Sequence, residues 1–146
     1  EDQIFAQSRT LLRSSSNGTD DLIEAMKSCR TALTTGPVGE MKLGHSGRWY
    51  EIGDTLTLAD GETVELAVNG QSTAEFGSQL DVSIYSGNLE KVQESLLFHQ
   101  ADLASGVSLT LEHTPEASGY LRLEITSDGS RWPGLYLSSP IWIKLK

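Results

Sequence analysis

The run Leu121-Arg122-Leu123-Glu124-Ile125-Thr126-Ser127-Asp128-Gly129 carries the clearest structural pattern of the chain. Leu121, Leu123 and Ile125 alternate with Arg122 and Glu124. A period of two sends the apolar side chains to one face of an extended chain and the charged ones to the other. Asp128-Gly129 then offers a dipeptide that tolerates positive φ, the usual end of such a run. The segment reads as an antiparallel strand buried on one side only.

The same pattern recurs outward from it. Ile141, Ile143 and Leu145 alternate with Trp142 and Lys144 on the C-terminal side. On the N-terminal side, Val107-Leu109-Leu111, Leu80-Val82-Ile84 and Val64-Leu66-Val68 alternate with mostly polar neighbours. Asp60-Gly61 and Asn69-Gly70 read as further turns. Weaker strands are expected at Ala32 to Thr35, Val38 to Leu43, Thr55 to Leu58 and Val92 to Phe98. The total, about eight or nine short strands with turn signals between them, predicts two packed sheets.

One segment departs from this period. From Thr19 to Arg30 the apolar residues Leu22, Met26 and Cys29 fall at helical spacing, with Ile23 beside them. Asp20 and Asp21 lie at the positive end and Lys27 and Arg30 at the negative end. Thr19 or Asp21 is the expected cap, with Glu24 in capping-box relation to Asp21. The expected class is therefore mainly β, an immunoglobulin-like antiparallel β-sandwich with one short N-terminal α-helix. Residues 1–18 are expected to be a lead-in, with Arg9 to Arg13 as one short strand. Residues 19–146 are expected to form a single domain, a size at which one core suffices.

Composition narrows the function classes. Hydrophobic residues make up 38% of the chain and charged residues 21%, a balance that supports a packed core rather than disorder. No apolar run approaches the ~20 residues of a membrane-spanning helix, so membrane insertion is not expected. The net charge of −9 repels phosphate backbones, so nucleic acid is not an expected partner either. A single cysteine, Cys29, cannot form a disulfide within the chain. The sequence starts at Glu1 with neither an initiator methionine nor a charged-then-apolar leader, from which a processed protein or an excised domain is expected. Cytoplasmic and exported locations both fit these features.

Chemistry-bearing residues are scattered. His45, His99 and His113 lack the H-x-H or H-x₃-H spacing that places two imidazoles on one metal, and no Cys-x₂-Cys accompanies them. No serine lies in G-x-S-x-G. Cys29, on the apolar stripe, is expected to behave as a small hydrophobe. Asp54, Asp60, Asp102 and Asp128 stand in turn-like contexts that turn chemistry explains. No catalytic, metal-binding or cofactor-binding residue is expected in this chain.

Binding offers more. Trp49 and Tyr50 are adjacent and on a strand would point to opposite faces, while Trp132 lies in the loop Gly129-Ser130-Arg131-Trp132-Pro133. An exposed indole can stack on a sugar or anchor a protein partner. The bend Thr35-Gly36-Pro37 completes the candidate contact residues. It lacks the following helix start and lysine that a phosphate loop needs. Asn17-Gly18-Thr19 is formally a glycosylation sequon.

The run from Leu22 to Pro37, with its helix ending Cys29-Arg30 and its Thr34-Thr35-Gly36-Pro37, resembles a stretch of the metal-dependent hydrolases of the PHP superfamily (polymerase and histidinol phosphatase type). In many large bacterial members that stretch follows the last metal-binding motif of a catalytic barrel and leads into a β-sandwich. The sandwich often carries a Gly-Asp-Thr like Gly53-Asp54-Thr55 and closes on a motif like Ser138-Ser139-Pro140-Ile141-Trp142-Ile143. Two positions depart: Cys29 stands for the usual glycine and Ser139 for the usual asparagine. The resemblance implies a non-catalytic C-terminal accessory domain that packs on or shields an upstream barrel. That barrel would be its partner and would hold every metal ligand. A free-standing module that binds carbohydrate or peptide is the other expectation.

Overall fold

A computed structural model describes residues 8–129 and 133–146. Among these are twelve strands and one helix. In chain order they are β1 (Arg9–Leu12), α1 (Thr19–Lys27), β2 (Thr31–Thr34), β3 (Val38–His45), β4 (Arg48–Tyr50) and β5 (Thr55–Leu58). There follow β6 (Val64–Gln71), β7 (Gln79–Asn88), β8 (Gln93–Ala104), β9 (Val107–His113), β10 (Gly119–Ser127), β11 (Gly134–Ser138) and β12 (Ile141–Leu145). The protein is mainly β, a sandwich of two sheets with one short helix.

The smaller sheet has the order β4-β3-β6-β9 and is antiparallel throughout. In the larger sheet β10 is the hub. It pairs with β7 along Gly119–Ser127 on one side, and on the other side with β12 near its start and β11 near its end. β7 then carries β8, β11 carries β2 and β1, and β12 carries β5. The pairing of β5 with β12 is parallel, the one departure from the expected antiparallel pattern among the described strands.

The alternation read from the sequence is the alternation of burial. Leu121, Leu123 and Ile125 are fully buried, as are Leu80, Val82, Ile84, Val64, Leu66, Val68, Met41, Leu43 and Ile141. These side chains meet between the two sheets as one core. Each such residue gains roughly 1.5–3 kcal/mol on leaving water, which is the term that holds the sheets together.

β11 and β12 are two halves of one interrupted strand. From Leu121↔Ile141 to Glu124↔Leu137, β10 advances three residues (121 to 124) while its partner advances four (141 to 137). The extra residue makes a bulge at Ser138-Ser139-Pro140. Pro140 has no N–H to offer a ladder. Across the gap the N–H of Leu123 donates instead to Ser138 Oγ at 2.8 Å, a buried bond. The bulge splits the edge in two, so that β2 docks on one half and β5 on the other.

Three local expectations are corrected. Asn69-Gly70 is not a turn but lies inside β6, paired with β3 and β9 at once. Gly70 is there because the opposite sheet comes close: a Cβ on it would lie 3.0 Å from Ile125 Cδ1. The β3–β4 turn uses Ser46-Gly47, both at positive φ (49° and 75°), as a two-residue hairpin requires. The helix, in turn, stops at Lys27, and its cap is Gly18 with no side-chain bond to the helix N–H groups. Cys29 is exposed rather than part of a buried stripe, and it takes φ 53° as the chain leaves the helix. Ala25 is the helix's buried residue, while Ile23 and Met26 remain exposed, so the stripe read from the spacing is not a buried face.

Candidate functional site

Among the described residues, the β3–β4 hairpin carries the most exposed aromatic side chain. Register places Trp49 opposite Gly44, Gly44 opposite Glu65 on β6, and Glu65 opposite Glu112 on β9. These four lie in one transverse row on the outer face of the smaller sheet, strands standing ~4.8 Å apart. Gly44 has no side chain, so the indole of Trp49 folds down across it. A Cβ there would meet ring carbons Cζ3 at 2.9 Å and Cη2 at 3.0 Å. Trp49 nevertheless keeps 47% of its surface in solvent.

A shallow cavity of about 380 Å³ opens along this row, lined by Trp49, Gly44, Glu65, Glu112, His45 and Thr63 among others. Glu65 and Glu112 are both exposed, and like charges directly across a strand pair repel. Neither has an ion-pair partner among the described residues. The surface thus combines a flat apolar ring with two free hydrogen-bond acceptors.

Tyr50 points the other way, as adjacency on a strand demands. Opposite Leu43, it packs against the core, with the Arg48 guanidinium 4.8 Å from its ring centroid. It holds the hairpin down rather than facing the cavity. Trp132 lies outside the described residues.

Thr35, Gly36 and Pro37 stand apart from Trp49, in the β2–β3 link at the far end of β3. The Gly36 N–H donates to Thr34 Oγ1 at 3.0 Å, and that hydroxyl donates to the Pro37 carbonyl. Thr35 exchanges two bonds of 2.8 Å with Leu135. A Cβ on Gly36 would fall 2.3 Å from Phe76 Cγ. The Thr34 and Thr35 hydroxyls and the Thr35 and Gly36 N–H groups are used in closing the bend.

A second aromatic cluster, only partly legible in the sequence, occupies the outer face of the larger sheet. Tyr120 and Trp142 meet edge to face with centroids 5.6 Å apart. Arg122 lies 4.2 Å over the Tyr85 ring and grips Glu94 with two bonds of 2.8 and 2.7 Å. It also reaches Glu124 at 3.1 Å. The Tyr120 hydroxyl donates to Glu94 at 3.0 Å. The Arg122 bonds hold the Glu94 carboxyl below its usual range, while burial and the Glu94 bond push the Tyr120 phenol up. The Arg122, Glu94, Glu124 and Tyr120 side chains thus bond to one another. Strand alternation shows Tyr120 and Arg122 facing outward, but only the β7–β8 pairing brings Glu94 to them.

The histidines stand on three different strands. His45 Nε2 is 3.7 Å from Glu62, His99 Nδ1 is 3.0 Å from Ser83 Oγ, and His113 is half-buried with its pKa lowered by desolvation. Among the described residues no three His, Cys, Asp or Glu side chains gather into a metal-binding group. No helix among them is long and apolar enough to cross a membrane.

No protein-family model matches the chain, and no curated protein matches it either.

Proposed function

We propose that this chain is an accessory β-sandwich that works by binding rather than catalysis, with a carbohydrate ring as the ligand its best-formed surface fits. The observation that carries this reading is Trp49 lying across Gly44, about half of its surface in solvent, beside two carboxylates that have no ion-pair partner among the described residues. The apolar face of a pyranose stacks on an indole, and sugar hydroxyls donate well to ionised carboxylates. A neutral polyol also avoids the repulsion that a chain of charge −9 imposes on anions. Titration of the intact chain with a panel of soluble glycans tests the reading through tryptophan fluorescence. A saturable change lost in Trp49→Ala is expected. A flat response across the panel, or one unchanged by Trp49→Ala, overturns it.

A second reading is that the domain is the C-terminal accessory part of a PHP-like metal-dependent hydrolase, packed on an upstream catalytic barrel. Its support is the resemblance, together with the way the residues that carry it converge. The Gly53 N–H donates to the Pro140 carbonyl and the Trp142 N–H to the Asp54 carbonyl, both at 2.9 Å. Arg30 stands 3.6 Å from Asp54, and the Ser139 N–H donates to the Thr31 carbonyl at 2.9 Å. Helix end, Gly-Asp turn and Ser-Pro bulge therefore form one joint between α1 and the sandwich. Reading the residues encoded upstream tests this. A barrel with an H-x-H motif and a late Asp-x-His motif is expected, and its absence ends the idea.

A further inference from the structure

Asn-Gly occurs twice in the chain, at Asn17-Gly18 and Asn69-Gly70, and the fold treats the two differently. An asparagine followed by glycine is chemically vulnerable because no Cβ hinders the next backbone nitrogen from approaching the side-chain amide. Asn69-Gly70 is locked in β6, bonded to strands on both sides, with Gly70 buried. Asn17 is exposed in the bend before α1 and belongs to no ladder.

The bend also supplies a proton path. The Gly18 N–H donates to Ser16 Oγ at 3.0 Å, and the Ser16 hydroxyl donates in turn to the Asp21 carboxylate. The nitrogen that must lose its proton is thus joined through one hydroxyl to a general base, the arrangement that activates a nucleophile.

We propose that Asn17 is a site of intramolecular self-modification, in which the backbone nitrogen of Gly18 attacks the Asn17 side-chain amide with Ser16 and Asp21 relaying the proton. In the first step the Gly18 nitrogen passes its proton to Ser16 Oγ, whose own proton moves to Asp21. The N–Cγ bond forms as the bond from Cγ to the Asn17 amide nitrogen breaks; that nitrogen takes a proton from water and leaves as ammonia, Asp21 returns its proton to water, and a succinimide closes. Water then opens the ring at either carbonyl. The product is aspartate or, with the backbone rerouted through the side chain, isoaspartate. No oxidation state changes, and water is the only co-reactant. Either product adds a negative charge just before the positive end of α1, beside Asp20 and Asp21. The proposal is independent of the Trp49 reading.

Incubation of the intact folded chain at neutral to mildly alkaline pH, followed by peptide mapping with isoaspartate detection, tests it. Asn17 should convert faster than Asn69 by at least about tenfold, since Asn69 reacts only when its ladder opens. In concentrated urea the two sites should converge. Ser16→Ala and Asp21→Asn, each checked by circular dichroism for a native fold, should slow Asn17 in the folded chain and leave its rate in urea unchanged. Equal rates at the two sites in the folded chain, or an intact Asn17, overturn the proposal. Unchanged Asn17 rates in both variants overturn the relay.

Discussion

Gly53 packs directly under the carbonyl oxygen of Ser28: a Cβ on Gly53 would fall 2.1 Å from that oxygen. Gly53 also holds φ at 87°, a conformation that side chains resist. The contact seats the end of α1 on the turn before β5, so helix and sandwich meet where no side chain fits. Gly53→Ala should lower stability by more than about 1 kcal/mol through strain alone. Thermal unfolding followed by circular dichroism measures the loss. A melting temperature equal to that of the parent chain would show that the joint yields.

Gly44 makes the complementary case on the outer face. Gly44→Val forces the Trp49 ring off its seat, where a Cβ already meets it at 2.9 Å. The ring's emission should shift and any glycan response should weaken. Trp49→Ala should remove the response while costing less than about 1 kcal/mol of stability, as expected of a surface side chain. A large stability loss in Trp49→Ala would mark the indole as structural.

At the bulge, Ser138→Ala removes the acceptor for the buried N–H of Leu123. An unsatisfied buried donor costs about 1–3 kcal/mol. Denaturant unfolding should show that loss in the midpoint with the slope unchanged. Ser139→Ala, which breaks only a part-buried hydroxyl contact with Thr31, should cost less.

Acid should weaken the fold in two stages. His113 has its pKa lowered from 6.5 by burial, opposed by Glu116. The unfolded chain therefore takes up this proton first, so stability is full above pH 6.5 and falls as pH drops from there toward the folded-state value. Glu94 is lowered from 4.5, first by its bond to Arg122. Its contribution is present above pH 4.5 and disappears as pH falls through its own folded-state value. Melting temperature against pH should slope in both windows. His113→Gln should flatten the upper one and leave the lower one intact.

Local pattern shows where the chain extends and which strand residues face the core, though not which helix residues are buried. Period-two alternation in segments such as Val64–Val68 and Leu121–Ile125 is a local property, imposed by the geometry of an extended backbone. It found most strands and the single helix. β4 and β11 escaped because β4 is only three residues long and β11 opens on a glycine. Strand pairing rests on long-range contacts. Whether Asn69-Gly70 turns or runs on depends on Ile125 and Leu80 across the core, not on the dipeptide. Whether Trp49 stacks in solvent or in the core depends on the register that sets it against Gly44 rather than Leu43. Register is a long-range choice, in which a shift of one residue exchanges the two faces of a strand. A candidate such as Trp49 is therefore nameable from sequence, but its site, with Glu65 and Glu112 beside it, exists only once four strands have found their places.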